Sequence, residues 1–403
     1  MKNIIYIIDS LSPLALKCLS DSFYGKKNTK NTIFDQLINK SIIFKNVYGH
    51  GETYSTIYSA LTGKDIYKNN CDSWTNKDSF KEVSDLGKIF KSMNFTNIYM
   101  RNASPNNILT GFYGRFLNSI SKDFDYKLLQ KKHKNDNFSK FIKDQNLNKK
   151  LKNKNKNFFI LIHDYTLHDS KAAYNGNHKK IINVIDGELT NNFKKTLSEI
   201  NYNTKEDNLI VFSDHGLTKF PESNLFTKNE INKNDYDNYY KNIFLDEKIK
   251  MLFFIKNPHL KKKIIIENIY SAKYLHLIIK SFFHNYKSIK KFINFLNSLN
   301  LNFLITSIRS TRATIYENYF DKHNFHNHAI FIKKNEKIIF SNKHPTKYLI
   351  EDNGKFKKIN NLSIVDNRFK NWIDEYYSHR NKVRKYYQFF IYKVFRIFKK
   401  IFR

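Results

Sequence analysis

Cysteine is nearly absent from this chain, with two residues, Cys18 and Cys71, among 403. That excludes a disulfide-built scaffold and a cysteine-ligated zinc site, and reads as two idle thiols in a reducing compartment. Glycine and proline are scarce, at 11 and 5 residues, which excludes collagen-like repeats and proline-rich linkers. No apolar run approaches the roughly 20 residues that a membrane-spanning helix requires. The N-terminal stretch Ile4–Ile8 is also shorter than a signal-peptide core and ends at Asp9. The default location is therefore cytoplasmic. Acidic residues are in deficit: 36 Asp and Glu stand against 70 Lys and Arg, a formal charge of +34. An anionic partner follows: nucleic acid, acidic lipid, or a phosphorylated or sulfated substrate. Part of the excess is attributable to a bias toward Lys, Asn, Ile and Phe, as a low-GC genome imposes, on a solvated surface.

Hydrophobic residues make up 41% of the chain, enough to bury a sizeable core. The length suits one large α/β domain, with or without a small appendage. Asn3–Ile8, Phe158–Ile162 and Leu209–Phe212 are apolar without alternation, the pattern of strands buried on both faces. Further strands are expected at Ile42–Tyr48, Thr96–Met100, Met251–Ile255, Lys263–Ile266, Phe303–Ile308, Ala329–Ile332 and Lys337–Phe340. Helical patterns fall at Asn31–Lys40, Tyr54–Leu61 (closed by Gly63), Phe80–Met93, Lys180–Ile200, Ala272–Phe283 and Ile289–Leu299. The basic run Asn148–Lys156 reads as a linker or helix end. Strands alternating with helices predict an α/β fold, a mostly parallel central sheet with helices on both faces, followed by a small C-terminal part.

In such sheets the ligand lies beyond the carboxyl ends of the strands. Three apolar strands end there in residues able to bind metal: Asp9, His163-Asp164 and Asp214-His215. Adjacent Asp214 and His215 offer a carboxylate oxygen and an imidazole nitrogen to one divalent ion. Thr53 opens a short helix, where backbone N–H groups favour an anion. It either caps that helix or, beside a metal or base, becomes a nucleophile. Asp164 and His168, four apart after a strand, are candidates for a second metal, for substrate contact or for protonating a leaving group.

The order of these segments resembles the alkaline phosphatase/sulfatase superfamily. Asn3-Ile-Ile-Tyr-Ile-Ile-Asp9 is similar to its first strand, Thr53 to Gly63 to its nucleophile helix, and Asn208-Leu-Ile-Val-Phe-Ser-Asp-His-Gly216 to its most recognisable motif. Asp164 to His168, followed by Asp186, falls in the expected order. The resemblance implies an alkaline phosphatase-like catalytic domain over residues 1–345, with Thr53 as nucleophile. It implies one or two divalent ions (Zn, Mn, Mg or Ca). Asp9, Thr53, Asp214 and His215 would hold one; Asp164, His168 and a late histidine, His326 or His328 ahead of His323, would hold the other. The implied activity is hydrolysis or transfer of a phosphate ester, less so a sulfate ester, on a lipid or glycan. The chain departs from sulfatases in three places. Thr53 stands where they carry the Cys or Ser converted to formylglycine, the Arg that follows it is missing, and their second Asp after the first strand is Ser10. These departures leave a non-catalytic protein that binds an anionic polymer or surface as the alternative.

Residues 346–375 read as a connecting segment and 376–403 as a basic amphipathic helix. Val383, Tyr387, Phe390, Val394, Ile397 and Ile401 recur at helical spacing opposite Lys385, Lys393, Arg396 and Lys400, and no acidic residue follows Tyr376. Such a helix suits an anionic membrane surface, at about 1 kcal/mol per basic residue. Nucleic acid ranks last, because no DNA-binding motif is recognised. Deleting the chain from Tyr376 is expected to abolish cosedimentation with anionic vesicles, and undiminished binding by the truncated chain would count against a membrane role.

Overall fold

The structure is a computed structural model. It describes residues 1–299 apart from 24–25, 28, 31, 52, 66–79, 104–110, 130–137, 154, 171–176 and 218–245. Beyond residue 299 it describes five strands, 304–309, 327–333, 336–341, 347–350 and 356–359, and Asn371. The eight strands of the main sheet are β1 (Lys2–Ile8), β2 (Ser41–Tyr48), β3 (Phe95–Arg101), β4 (Tyr126–Leu128), β5 (Asn157–Asp164), β6 (Asn208–Ser213), β7 (Phe253–Lys256) and β8 (Ile264–Ser271). They lie in the order β8-β2-β7-β6-β1-β5-β3-β4. All pairs are parallel except those of β7, which runs antiparallel to β2 and β6.

The central strands are covered on both faces because successive side chains alternate between them. One face carries Ile5 and Ile7 of β1, Leu161 of β5 and Phe212 of β6. It packs against helix α2 (Thr53–Thr62) through Ile57 and Leu61, and against a long helix, Ala272–Asn285, through Leu275 and Ile279. The opposite face carries Ile4, Tyr6 and Ile8, Ile160 and Ile162, and Val211. It packs against Phe34 of helix α1 (Ile33–Ile38) and Phe193 of the helix Thr190–Glu199. Tyr6 and Phe34 both meet the Phe193 ring, at centroid distances of 4.5 and 4.8 Å.

Several expectations are revised in detail. The helix expected over Phe80–Met93 spans only Leu86–Ser92, because Phe80 takes a left-handed φ of 61° that no α-helix accommodates. The single helix expected over Lys180–Ile200 is interrupted by a π-helical turn at Ile185–Leu189, where the Thr190 hydroxyl bonds back to the Ile185 carbonyl. The basic run from Asn148 lies partly in a helix, Leu147–Lys152. Two helices, Gly111–Ser121 and Phe138–Asp144, and the short strand β4 were not anticipated. The small C-terminal part is a five-stranded antiparallel sheet: β9 (Leu304–Arg309), β10 (Asn327–Lys333), β11 (Glu336–Ser341), β12 (Lys347–Ile350) and β13 (Phe356–Ile359). Its last two strands fall inside the segment expected to be a connector, so the boundary at residue 345 cuts through a sheet. The basic helix expected over 376–403 lies outside the described residues. Among the described residues no helix is long and apolar enough to cross a membrane.

The entry to α1 is held by Asp35, whose carboxylate accepts from the Thr32 N–H, the Thr32 hydroxyl and the Cys18 N–H. Burial works against its ionisation, but the bonds from Thr32 and then Cys18 outweigh burial and hold its pKa below the usual carboxylate value. A depressed folded-state pKa stabilises the fold above the unfolded value, and the gain is lost as pH falls through the folded one. Asp35→Asn is therefore expected to cost about 1–2 kcal/mol near neutral pH and progressively less as the medium is acidified through the carboxylate range in urea unfolding; a pH-independent cost would contradict this account.

Candidate active site

Strand parity decides which polar residues meet at the carboxyl ends of the central strands. Ile7 of β1 pairs with His163 of β5 in parallel register, so His163 shares the face on which Asp9 continues β1. Asp214 is two residues beyond Phe212 and shares that face too. The face is the one covered by α2, whose first residue is Thr53. The Thr53 hydroxyl donates to Asp9 Oδ2 at 3.1 Å and lies 3.2 Å from His215 Nε2. His215 Nε2 is in turn 3.3 Å from Asp214 Oδ2. Asp9 and Asp214 are fully buried, and Thr53 and His215 nearly so.

The turn into α2 is built for this closeness. A Cβ on Gly49 would lie 2.5 Å from the Asp214 backbone oxygen, so only glycine lets the two loops meet. The His50 N–H donates to the Thr56 hydroxyl, which satisfies one group at the helix entrance. Gly63, at φ 71°, closes α2 after Thr62, as the sequence suggested.

The electrostatics follow from burying two carboxylates together. Burial followed by the charge of Asp9 pushes the Asp214 pKa well above the usual range, against the N–H groups of Ser10 and His215. Asp9 is held low: burial opposes ionisation, but the charge of His168 and then the contact with His163 prevail. His215 Nδ1 lies 2.7 Å from the Gly216 carbonyl, a contact that places a proton on Nδ1 and leaves the Nε2 lone pair toward Thr53. Burial, then the neighbouring Lys248 ammonium 3.3 Å from Nδ1, lowers the His215 pKa to about 3, so the imidazole is neutral. His168 is the reverse: burial disfavours its charge, yet Asp9, Asp169 and Asp214 raise its pKa.

A divalent cation fits these residues. Asp9, Asp214 and His215 each offer a ligand atom, all within 4.8 Å of one another. Asp214 Oδ2 is buried without a hydrogen-bond partner, as are both ring nitrogens of His163. Such orphaned atoms beside two carboxylates match a missing positive charge.

The other sequence candidates are distributed differently. Asp164 lies on the opposite face and accepts four hydrogen bonds: from the Tyr6 hydroxyl, the Asn102 amide, and both the N–H and hydroxyl of Thr166. Its oxygens are engaged in holding the strand ends rather than facing Asp9. His163, passed over in favour of Asp164, stands there instead, its Nε2 3.5 Å from Asp9 Oδ2 and its ring 4.3 Å from that of Tyr165. Counting alternation back from Asp9 through the paired strand would have selected it. Lys248 left no signal in sequence, because it reaches His215 from a separate short helix, Asp246–Ile249. His328 lies in β10 opposite Ile308 and Ser341, and His323 and His326 fall outside the described residues.

Comparison with known proteins turns on shape rather than sequence. No family model matches the chain, and no curated protein does. Solved structures do. A phosphonate monoester hydrolase from Silicibacter pomeroyi is similar over 95% of this chain and 96% of its own, with a TM-score of 0.62 at 11% identity. A protein in the alkaline phosphatase superfamily from Vibrio parahaemolyticus matches over 96% of this chain and 87% of its own (TM-score 0.51, 12% identity). A 2-O GAG sulfatase matches over 96% and 91% (TM-score 0.54, 10% identity). The fold is alkaline phosphatase-like. In this alkaline phosphatase-like sheet, the cluster of Asp9, Thr53, Asp214 and His215 sits at the carboxyl ends of the strands, where open α/β sheets bind ligands.

Two outcomes follow for Asp214→Asn. The metal-stripped variant should be at least as stable as metal-stripped wild type, because one of two crowded buried carboxylates is removed. Wild type should gain about 2.7 kcal/mol at a divalent-ion concentration one hundred times its Kd, and the variant little or none. Thermal unfolding with and without added ion checks both, and an equal gain in the two proteins would refute the assignment of Asp214 as a ligand.

Proposed function

We propose that this chain is a metal-dependent hydrolase of the alkaline phosphatase superfamily that acts on a phosphate ester with Thr53 as nucleophile. The observation that carries this reading is the position of the Thr53 hydroxyl, at a helix N-terminus and within 3.2 Å of both Asp9 Oδ2 and His215 Nε2. Structural neighbours named as phosphonate monoester hydrolases and sulfatases support an anionic ester as substrate. A threonine cannot serve through a formylglycine hydrate, which favours phosphate over sulfate.

Asp9, Thr53, Asp214 and His215 would hold the ion, which supplies positive charge that acidifies the Thr53 hydroxyl and polarises the ester. The remaining chemistry belongs to the chain. Thr53 Oγ1, having given its proton to solvent water, attacks phosphorus. The bond from phosphorus to the leaving oxygen breaks, and His168, whose protonated form the surrounding carboxylates favour, delivers a proton to that oxygen. The N-terminal N–H groups of α2 stabilise the charge on the non-bridging oxygens. Water, or an acceptor alcohol in a transferase variant of the same reaction, then releases the phosphoryl group from Thr53. A lipid or lipid-linked glycan is the substrate that the basic C-terminal segment favours.

Thr53→Ala is expected to lower turnover of chromogenic phosphate mono- and diesters by more than about a thousandfold with an unchanged unfolding midpoint, and Thr53→Ser to retain part of it. A quenched wild-type reaction should yield a peptide phosphorylated at Thr53. Undiminished activity of Thr53→Ala would end this mechanism, and absence of both turnover and bound ion in wild type would favour the non-catalytic alternative.

A further inference from the structure

From Met251 to Asn300 the chain carries nine lysines, no arginine and a single acidic residue, Glu267. Glu267 is paired with Lys45 at 3.4 Å. Three of the nine lysines are engaged: Lys256 Nζ donates to the Lys40 carbonyl, Lys273 to Asp65 and Lys280 to Asp85. The other six are Lys261, Lys262, Lys263, Lys287, Lys290 and Lys291. All six are exposed, and among the described residues none has a carboxylate within ion-pair distance.

The fold gathers these six into one patch. Antiparallel β7 delivers the chain to the amino ends of the parallel strands, where residues 257–263 turn into β8. The helix Ala272–Asn285 ends beside that turn and passes into a second helix, Ile289–Ser298. Asn257, fully buried, ties the two turns together. Its side-chain amide donates to the Tyr286 carbonyl at 3.1 Å and to Asn208 Oδ1 at 2.8 Å, and its Oδ1 accepts from the His259 N–H at 2.8 Å. Leu260 and Phe292 anchor the two turns in the core. The lysine stems therefore rise from a fixed base, and their ammonium groups repel one another until an anion lies over them.

The composition of the patch selects among anions. Nucleic acid is gripped by guanidinium forks and by stacking on aromatic rings, and the patch has no arginine and no exposed aromatic residue. An acidic bilayer needs only point charges, and clusters of about four to eight basic residues suffice for it. It also accommodates apolar side chains at its interface. Ile265, two residues beyond Lys263, is 49% exposed.

We propose that this six-lysine patch is a docking surface for an anionic phospholipid bilayer, carried by the folded domain itself. It shares no residue with the cluster of Asp9, Thr53, Asp214 and His215 at the carboxyl ends of the strands, and it stands whether or not that cluster is catalytic.

The test is cosedimentation of the full-length chain with vesicles of mixed phosphatidylserine and phosphatidylcholine, beside pure phosphatidylcholine vesicles and duplex DNA. Two triple variants divide the patch: Lys261→Gln, Lys262→Gln and Lys263→Gln in one, Lys287→Gln, Lys290→Gln and Lys291→Gln in the other. A third, with Lys88→Gln, Lys194→Gln and Lys195→Gln on other helices, has the same net charge. Because every variant keeps residues 376–403, the comparison separates the patch from that segment. Each patch variant is expected to bind the acidic vesicles at least about tenfold more weakly than wild type, the control within about threefold, with the difference shrinking as salt is raised. All should keep the wild-type unfolding midpoint. Equal losses in patch and control variants would reduce the effect to diffuse charge and overturn the proposal. So would wild-type binding to pure phosphatidylcholine as tight as to the acidic vesicles. Tighter binding of duplex DNA than of vesicles, lost in the same patch variants, would overturn it in favour of nucleic acid.

Discussion

Two carboxylates buried side by side set the terms for the rest of this molecule. Asp9 and Asp214 end adjacent parallel strands and have no exposed surface. In a low-dielectric interior they cannot both ionise without compensating positive charge. The surroundings answer with N–H and O–H donors from Ser10 and His215, the hydroxyl of Thr53, and imidazoles at His163, His168 and His215. The compensation is incomplete, since Asp214 Oδ2 remains without a donor. A divalent cation would complete it with the residues already in place.

The fold makes that crowding affordable. The strand ends are cross-braced on the far side of the sheet by Asp164, which ties Tyr6, Asn102 and Thr166 together. At the opposite end of the strands, Asn3, Asn208 and Asn257 are linked by amide hydrogen bonds of 2.8 Å, and Asp207 accepts the Lys2 N–H at 2.7 Å. Satisfied polar groups in a tightly packed sheet hold β1 and β6 in register, and register places Asp9 beside Asp214. The same rigidity fixes the Thr53 hydroxyl, because α2 is anchored along its length by Ile57, Tyr58 and Leu61. A hydroxyl mounted on a packed helix end and facing groups on strand ends is held in one place.

Similarity of shape at identities of 10–12% says that the architecture tolerates almost complete replacement of the sequence. Apolar strands can exchange Ile, Val and Phe freely while keeping volume and pattern. At the strand ends, Ser10 meets both buried carboxylates, through its N–H on Asp214 and its hydroxyl on Asp9.

The sequence by itself determined the class of fold and singled out four residues that the structure brings together. Unbroken apolar runs ending in Asp9, Asp214 and His215, and a helix opening at Thr53, were legible because burial on both faces and strand-end position both leave local patterns. It did not determine that β7 runs antiparallel, that Phe80 leaves the helical region, or that the C-terminal strands close a second sheet, since partner and direction are not encoded in an apolar run. It also did not show which member of the pair at the end of β5 faces Asp9. Asp164 has the more obvious metal-binding chemistry, yet the alternation of the strand turns it away from Asp9 and turns His163 toward it. Only the tertiary structure decides such a choice, because a side chain's face depends on the register of its strand against its neighbour, and one residue of shift reverses it.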